Sequence, residues 1–279
     1  MLKRIITSLV ALCILIPVLF LSHTFILPLG IAVVSFIALY EMNKCIGKGK
    51  MIAFTAPAYV FAAVAPFLFR YLGYDVRCGY IAFVCAIVYV MYLFTLTVFM
   101  KGKITFAEVG ELFLVSVYII AALNAIIYVR DFASGGKYLY ILIFAGAWIT
   151  DIFAYFSGML FGKHKLIPEV SPKKTIEGSI GGTLFCIISF IVFGIIVDGF
   201  FSMNANFVFL AISGLVVSIL AQIGDLIMSV IKRQYGVKDY GKIFPGHGGV
   251  LDRFDSILAT SLAMCAVCMV AKLFGIQLI

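Results

Sequence analysis

Long apolar stretches separated by short polar segments recur along the whole chain. A helix crosses the hydrocarbon core of a bilayer in about 20 apolar residues, and backbone groups in lipid must be satisfied within the segment, which favours helices. The pattern therefore predicts an all-α, polytopic integral membrane protein with about nine transmembrane helices. The predicted spans are Ile5–Leu21, Phe25–Tyr40, Ile52–Phe69, Tyr80–Met100, Thr105–Val129, Tyr138–Phe161, Ile180–Val197, Phe207–Ile231 and Ser256–Phe274.

The composition supports a membrane protein and excludes other classes. Hydrophobic residues make up 64% of the 279 residues and charged residues only 12%, whereas soluble proteins have about 45–50% and about 25%. These values also exclude disordered and collagen-like chains. The seven cysteines are an odd number and lie mostly in apolar runs, so we interpret them as small buried hydrophobic residues rather than a disulfide framework.

The net charge of +8 has a topological explanation. With nine spans, one side of the membrane carries 16 of the 21 Lys and Arg residues. The positive-inside rule places that side, with the N-terminus, in the cytoplasm, so we expect a multi-pass protein of the cell inner (plasma) membrane that binds no nucleic acid. The basic residues on the other side are Arg70, Arg77, Arg130, Lys137 and Lys272.

Two predicted cytoplasmic loops are long and rich in polar residues. We divide the chain into N-terminal transmembrane helices, residues 1–130, and a C-terminal catalytic transmembrane region, residues 131–279, which contains loops 162–178 and 232–255. Functional residues concentrate in irregular segments that a rigid scaffold holds in place. The two loops are therefore the candidate site, with its active face in the cytoplasm.

Two carboxylates lie inside predicted spans, Asp151 and Asp225. Acidic residues at that depth are costly and usually mark ion or substrate sites. For Asp151, hydrogen bonds from Ser, Tyr or backbone donors in the helix bundle are the alternative. The polar residues at helical spacing around Asp225 are Gln222, Ser229, Lys232 and Arg233. An acid within the span and bases at its mouth suit a metal ion that holds a phosphate.

The loop after Lys232 is dense in charged residues and glycine. Asp252 and Asp255 face one way if the next helix has already begun there. Glycines around His247 allow the close backbone approach that an anion-binding loop requires; they are Gly246, Gly248 and Gly249. The bases nearby are Lys232, Arg233, Lys238, Lys242 and Arg253. Together these residues indicate a divalent-metal, polyphosphate-handling site at the cytoplasmic membrane surface.

Loop 162–178 carries a second basic cluster. Its bases are Lys163, Lys165, Lys173 and Lys174, and its hydroxyl residues include Ser171 and Thr175. A helix N-terminus beside glycines and lysines can bind phosphate. The alternative explanation is that these lysines only set the orientation of the protein in the membrane. The glycine and lysine spacing of a Walker A loop is absent.

The stretch from Ser229 to Asp255 resembles the signature of phosphatidate cytidylyltransferases, also called CDP-diacylglycerol synthases. That signature reads Ser-x-apolar-Lys-Arg, Lys-Asp-x-small, Phe-Pro-x-His-Gly-Gly and Asp-Arg-x-Asp, and this sequence meets every fixed position. The resemblance extends through Gln222-x-Gly224-Asp225 and from Asp151 to Gly182. This sequence departs from the family at Ile152, Met159 and Ile176, where a small hydroxyl residue, a basic residue and an aromatic residue are expected.

The resemblance implies a reaction in which phosphatidate and CTP give CDP-diacylglycerol and pyrophosphate. The cofactors it implies are one or two Mg²⁺ ions, and it suggests an additional monovalent cation. It also suggests a homodimer in the lipid membrane. It implies that the metal ligands are Asp225, Asp252 and Asp255. The other catalytic residues it implies are Lys232, Arg233 and His247. The substrate-binding residues it implies are Asp151, Ser171, Lys173, Lys174, Thr175, Ser229, Lys238, Gly248, Gly249 and Arg253.

Two other functions fit part of the pattern. Buried acids such as Asp151 and Asp225 would suit a transporter of protons or cations, but we find no inverted sequence repeat. Another lipid phosphotransferase, such as a polyprenol kinase or a CDP-alcohol phosphotransferase, would also handle phosphates. The aspartate-rich pattern of the latter, Asp-x2-Asp-Gly-x2-Ala-Arg, is absent from this chain.

Overall fold

A computed structural model describes residues 13, 15–47, 49, 51–73, 76–100, 104–132, 135–244, 246 and 248–279. The regular secondary structure of this part of the chain is helical, apart from one β-hairpin and an isolated bridge between Phe244 and Gly248. The helices are α1 (Ile26–Cys45), α2 (Ile52–Leu72), α3 (Val76–Phe99), α4 (Phe106–Asp131), α5 (Gly136–Leu139), α6 (Ile141–Phe161), α7 (Ile176–Phe201), α8 (Phe207–Gln234) and α9 (Leu251–Leu273). The strands are β1 (Lys165–Ile167) and β2 (Ser171–Thr175).

The predicted all-α polytopic architecture is confirmed. Within the described ranges, eight helical segments are long and apolar enough to cross a membrane, and they correspond to the second to ninth predicted spans. Helices α5 and α6 together make one of these segments, Gly136–Phe161. The first predicted span, Ile5–Leu21, falls largely on residues outside the described ranges; residues 15–20 of it are helical.

The chain divides into two compact units. The first contains Met1–Tyr128 and Val237–Arg253, and the second contains Val129–Gly236 and Phe254–Ile279. Most of loop 232–255 belongs to the first unit, and our division of the chain between residues 130 and 131 stays a prediction. Within the first unit, Glu41 of α1 accepts hydrogen bonds from the backbone N–H groups of Val250 and Leu251.

Helices α6 and α7 of the second unit approach each other closely at glycine positions. A methyl group at Gly178 would lie 2.6 Å from the carbonyl oxygen of Ala154, and one at Gly182 would lie 2.7 Å from that of Thr150. Small residues at a helix interface let two backbones come into contact within a membrane. This contact sets the position of the α7 N-terminus and of the strand that precedes it.

Loop 162–178, which we expected to be irregular, contains the hairpin. Strands β1 and β2 are antiparallel, with Lys165 opposite Thr175. The hydroxyl of Thr175 accepts a hydrogen bond from the Gly178 N–H at 3.1 Å and caps α7, as hydroxyl residues do at helix N-termini. Helix α7 therefore begins at Ile176 rather than at the predicted Ile180, and the hairpin is attached directly to its first turn.

Candidate active site

Acidic side chains from three helices meet in the second unit. Asp151 lies on α6, Asp225 on α8 and Asp255 on α9. Asp225 interacts electrostatically with both of the other acids. Three carboxylates in neighbouring membrane-spanning helices repel one another, so the cluster requires compensation by cations or hydrogen-bond donors.

One lysine and one serine supply part of that compensation. The Lys174 ammonium at the end of β2 lies 2.5 Å from Oδ2 of Asp225. The Ser256 hydroxyl donates to Oδ2 of Asp151 at 3.2 Å, and its backbone N–H donates to Oδ1 of Asp255 at 2.9 Å. The serine hydrogen bond that sequence reasoning kept as the alternative for Asp151 is thus present. Asp151 also shares an electrostatic interaction with Asp225, so the bond does not isolate it from the cluster.

The carboxylates of this cluster fit Mg²⁺ only if water and substrate phosphates supply the remaining ligands. Among the described residues, no three acidic, His or Cys side chains are grouped closely enough to ligate one ion. Mg²⁺ in phosphate-handling proteins is usually bound by one or two carboxylates, with water and substrate phosphates completing the shell. The neighbouring carboxylates of Asp225 and Asp255 match that requirement.

Asp252 organises the glycine-rich segment of the first unit. Its side chain is buried, and Oδ2 accepts hydrogen bonds from the N–H groups of Tyr240 at 2.8 Å and Gly249 at 2.9 Å. Gly248 has a φ of +85°, and a methyl group there would lie 2.7 Å from the same carboxylate oxygen. Asp252 therefore holds two ends of this loop together, and its predicted role as a metal ligand stays a prediction.

Sequence reasoning missed Glu41, which is 2% exposed. Its Oε1 accepts the Val250 N–H at 3.1 Å, and its Oε2 accepts the Leu251 N–H at 2.8 Å. The predicted second span ended at Tyr40, which left Glu41 at the membrane surface. The observed α1 continues to Cys45, and a glutamate inside an apolar helix is the signal that could have identified it.

With this geometry in view, comparison with known proteins identifies the family. The sequence matches the cytidylyltransferase family over residues 2–271. The chain belongs to this family. The family resemblance that the signature predicted is thereby confirmed.

Curated members of the cytidylyltransferase family share substantial identity with this chain. Phosphatidate cytidylyltransferase of Bacillus subtilis (strain 168) is 40% identical over 169 residues, 61% of each chain. The protein of the same name from Staphylococcus haemolyticus (strain JCSC1435) is 48% identical over 125 residues, 45% of this chain and 46% of the relative. That of Staphylococcus saprophyticus is 34% identical over 258 residues, 91% of this chain and 94% of the relative. The first two matches thus span less than two thirds of those relatives, and the third spans nearly all of its length.

The cytidylyltransferase signature residues differ in their surroundings. Thr175 is buried at the α7 cap, Gly249 is buried beside Asp252, and Gly248 is half-buried. His247 lies outside the described residues. The exposed signature bases are Lys173, Arg233, Lys238 and Arg253, and the half-buried polar residues are Ser171, Ser229 and Lys232.

Glu177, in the first turn of α7, connects this helix to the start of the hairpin loop. Its carboxylate accepts hydrogen bonds from the backbone N–H groups of Lys163 and His164 at 3.1–3.3 Å. Nδ1 of His164 lies 2.6 Å from Oε1 of the same carboxylate. The first turn of α7 therefore holds the start of loop 162–178 in place, next to the strand that carries Lys174.

Proposed function

We infer that this chain is a phosphatidate cytidylyltransferase, a membrane enzyme that makes CDP-diacylglycerol and pyrophosphate from phosphatidate and CTP in phospholipid biosynthesis. Its family membership and its similarity to proteins of that name support the activity. The observation that carries the proposal is the cluster of Asp151, Asp225, Asp255 and Lys174 within and beside membrane-spanning helices. A site with this chemistry suits a reaction between a lipid phosphate and a nucleotide.

In the proposed reaction, a phosphate oxygen of phosphatidate attacks the α-phosphorus of CTP. A new phosphorus–oxygen bond forms, the bond from the α-phosphorus to the oxygen bridging the β-phosphorus breaks, and its electron pair leaves with pyrophosphate. Such a transfer depends on positioning and charge neutralisation more than on covalent catalysis. We expect Lys174 and Lys232 to neutralise phosphate charge.

We propose that Mg²⁺ is the cofactor and that Asp225 and Asp255 hold it, with Asp252 as the further ligand that the signature suggests. The bound ion would supply charge neutralisation on the reacting phosphates. Lys174 is ion-paired with Asp225, and we expect its ammonium to move to a substrate phosphate when the aspartate binds the ion. A Mg²⁺ titration of turnover distinguishes one bound ion from two.

An apolar groove supports a lipid substrate. It has a volume of about 380 Å³, and its lining residues are Ile167, Ile223, Leu226, Ile227, Val230 and Ile231. Leu226 follows Asp225 directly on α8, and Ile167 belongs to β1. We propose that an acyl chain of phosphatidate lies along this face of α8 while its phosphate reaches the acidic cluster.

We propose that the site faces the cytoplasm of a bacterial plasma membrane. The basic residues of the loops support this orientation, and CTP is a water-soluble substrate that must arrive from the cytoplasm. Phosphatidate would enter laterally from the lipid. The homodimer suggested by the resemblance is a further proposal, which size-exclusion chromatography with light scattering would check.

The decisive experiment incubates the detergent-purified chain with labelled CTP, phosphatidate and Mg²⁺. We expect a labelled liponucleotide, release of pyrophosphate, and loss of both when EDTA is added. Diacylglycerol in place of phosphatidate is the matched control, because it lacks the attacking phosphate. If no liponucleotide forms over a range of Mg²⁺ concentrations with a folded protein, the proposed activity is wrong.

A further inference from the structure

Helix α9 begins directly after a residue whose side chain cannot cap it. Its first residue is Leu251, and the side chain of the preceding residue, Val250, carries no oxygen that could accept a hydrogen bond. The first N–H groups of a helix have no partner within the helix, and Ser, Thr, Asp or Asn usually satisfies them. Oδ2 of Asp252, in the first turn, accepts from the N–H groups of Tyr240 and Gly249 in the preceding loop.

Glu41 supplies the missing acceptors from a helix that is about 210 residues earlier in the chain. Each carboxylate oxygen accepts one N–H group, that of Val250 or that of Leu251. A carboxylate at a helix N-terminus also interacts favourably with the helix dipole. Because Glu41 is buried, these two charge-assisted bonds are strong, and losing them would leave buried polar groups unsatisfied.

Two glycines of the same loop make room for Glu41. A methyl group at Gly241 or at Gly249 would collide with the Glu41 carboxylate. Neither glycine has a positive φ, so backbone conformation does not explain the absence of a side chain there. The loop is thus built around this carboxylate, in addition to its bonds to Asp252.

We propose that Glu41 is a positioning residue of the transferase site: it caps α9 from α1 and fixes the segment from Tyr240 to Asp252. The proposal rests on the proposed function, because it assigns Glu41 a part in holding the signature segment of that enzyme. Glu41 touches no substrate; it acts by holding the helix turn that carries Asp252 and Arg253. A small misplacement of such groups can lower turnover by about 100-fold.

The test compares Glu41→Gln with a matched control, Asn43→Ala. Glutamine keeps the size of the side chain, but its NH₂ group cannot accept an N–H hydrogen bond. Asn43 is buried on the same helix and donates to the Tyr59 hydroxyl at 3.2 Å, not to the loop. Two measurements are made on folded, monodisperse protein: turnover of CTP with phosphatidate, and the rate of tryptic cleavage after the exposed residues Lys238 and Lys242.

We expect Glu41→Gln to lower turnover about 10- to 100-fold and to accelerate cleavage in the loop, while Asn43→Ala changes neither by more than about threefold. If the two variants have the same turnover and the same cleavage rate, the proposal is wrong. The cleavage measurement needs no substrate. A wild-type protein that makes no liponucleotide would therefore overturn the proposed function, while cleavage would still decide the role of Glu41.

A second pair of variants tests the fit between Glu41 and the glycines. Gly241→Ala should accelerate loop cleavage in the otherwise wild-type chain, because its methyl group meets the Glu41 carboxylate. In a Glu41→Ala background the obstacle is gone, so adding Gly241→Ala should change the cleavage rate much less. Equal effects of Gly241→Ala in the two backgrounds would contradict the proposed packing.

Discussion

Nζ of Lys174 and Oδ2 of Asp225 are 2.5 Å apart, and each side chain is 24% exposed. The pair joins the end of β2 to the middle of α8, two segments that sequence reasoning treated as separate phosphate-binding regions. Helical spacing placed Asp225 in a stripe with Ser229, Lys232 and Arg233, but its direct ionic partner comes from the hairpin. Lys174 of the basic cluster in loop 162–178 and the acid of α8 therefore lie together, as two parts of the proposed site.

Asp225→Asn should abolish Mg²⁺-dependent activity, which we expect to appear as a fall in turnover of at least about 100-fold. The protein should stay folded. Asparagine keeps the shape but removes the charge that would hold the ion, and a bound metal contributes several kcal/mol to the stabilisation of phosphate charge. Turnover is measured over a Mg²⁺ titration beside thermal stability in detergent. The matched control is Asp198→Asn, which changes an acid near the C-terminal end of α7 and should retain activity. A stable Asp225→Asn protein with near-normal turnover at ordinary Mg²⁺ would remove Asp225 from the set of ligands.

Lys174→Ala should weaken both stability and substrate use, and a second substitution should separate the two effects. The alanine leaves Asp225 without its ionic partner, which we expect to cost about 1–3 kcal/mol, with solvent screening reducing this value for a partly exposed pair. Adding Asp225→Asn removes the uncompensated charge, so the double variant should regain thermal stability but not activity. If the double variant is no more stable than Lys174→Ala, the ion pair does not contribute to folding.

The apparent KM values of Lys174→Ala then test its contact with substrate. We expect a raised apparent KM for CTP or for phosphatidate, because the ammonium would bind a phosphate of one of them. The substrate whose KM rises is the one that Lys174 contacts. Normal KM values for both substrates would exclude it as a substrate ligand.

Gly178→Ala should lower the thermal stability of the protein, whereas Gly199→Ala on the same helix should not. A methyl group at Gly178 meets the Ala154 carbonyl oxygen at 2.6 Å, so α6 and α7 must move apart. Gly199 has open space around its Cα, and alanine is preferred over glycine in a helix by about 1 kcal/mol. Melting in detergent compares the two variants. Equal melting temperatures would show that the close contact of α6 and α7 is not required.

Lys242→Cys, introduced into a cysteine-free background, should react with a membrane-impermeant maleimide only after cells are permeabilised. The reason is the predicted cytoplasmic location of loop 232–255. Lys137→Cys is the matched control, because Lys137 is exposed and lies on the opposite side in the predicted topology. Rapid labelling of Lys242→Cys in intact cells would reverse the orientation and place the site outside.

Much of this protein could be predicted from local patterns. Eight of the predicted spans are present as helices because the length and apolarity of a span are properties of a continuous segment. The signature between Ser229 and Asp255 was sufficient to predict the family, since it depends on residue identity at fixed spacing. Both are encoded within short stretches of chain and need no information about partners.

Which side chains meet was decided only by the tertiary structure. The pairing of Lys174 with Asp225 depends on glycines that bring α6 and α7 together and on a hairpin whose last residue, Thr175, caps α7. The capping of α9 by Glu41 depends on a contact between residues about 210 positions apart. Periodicity relates residues along one helix, whereas these contacts arise from packing between different helices. Burying a carboxylate is costly unless it is hydrogen-bonded or ion-paired, so packing brings it next to groups that can donate to it.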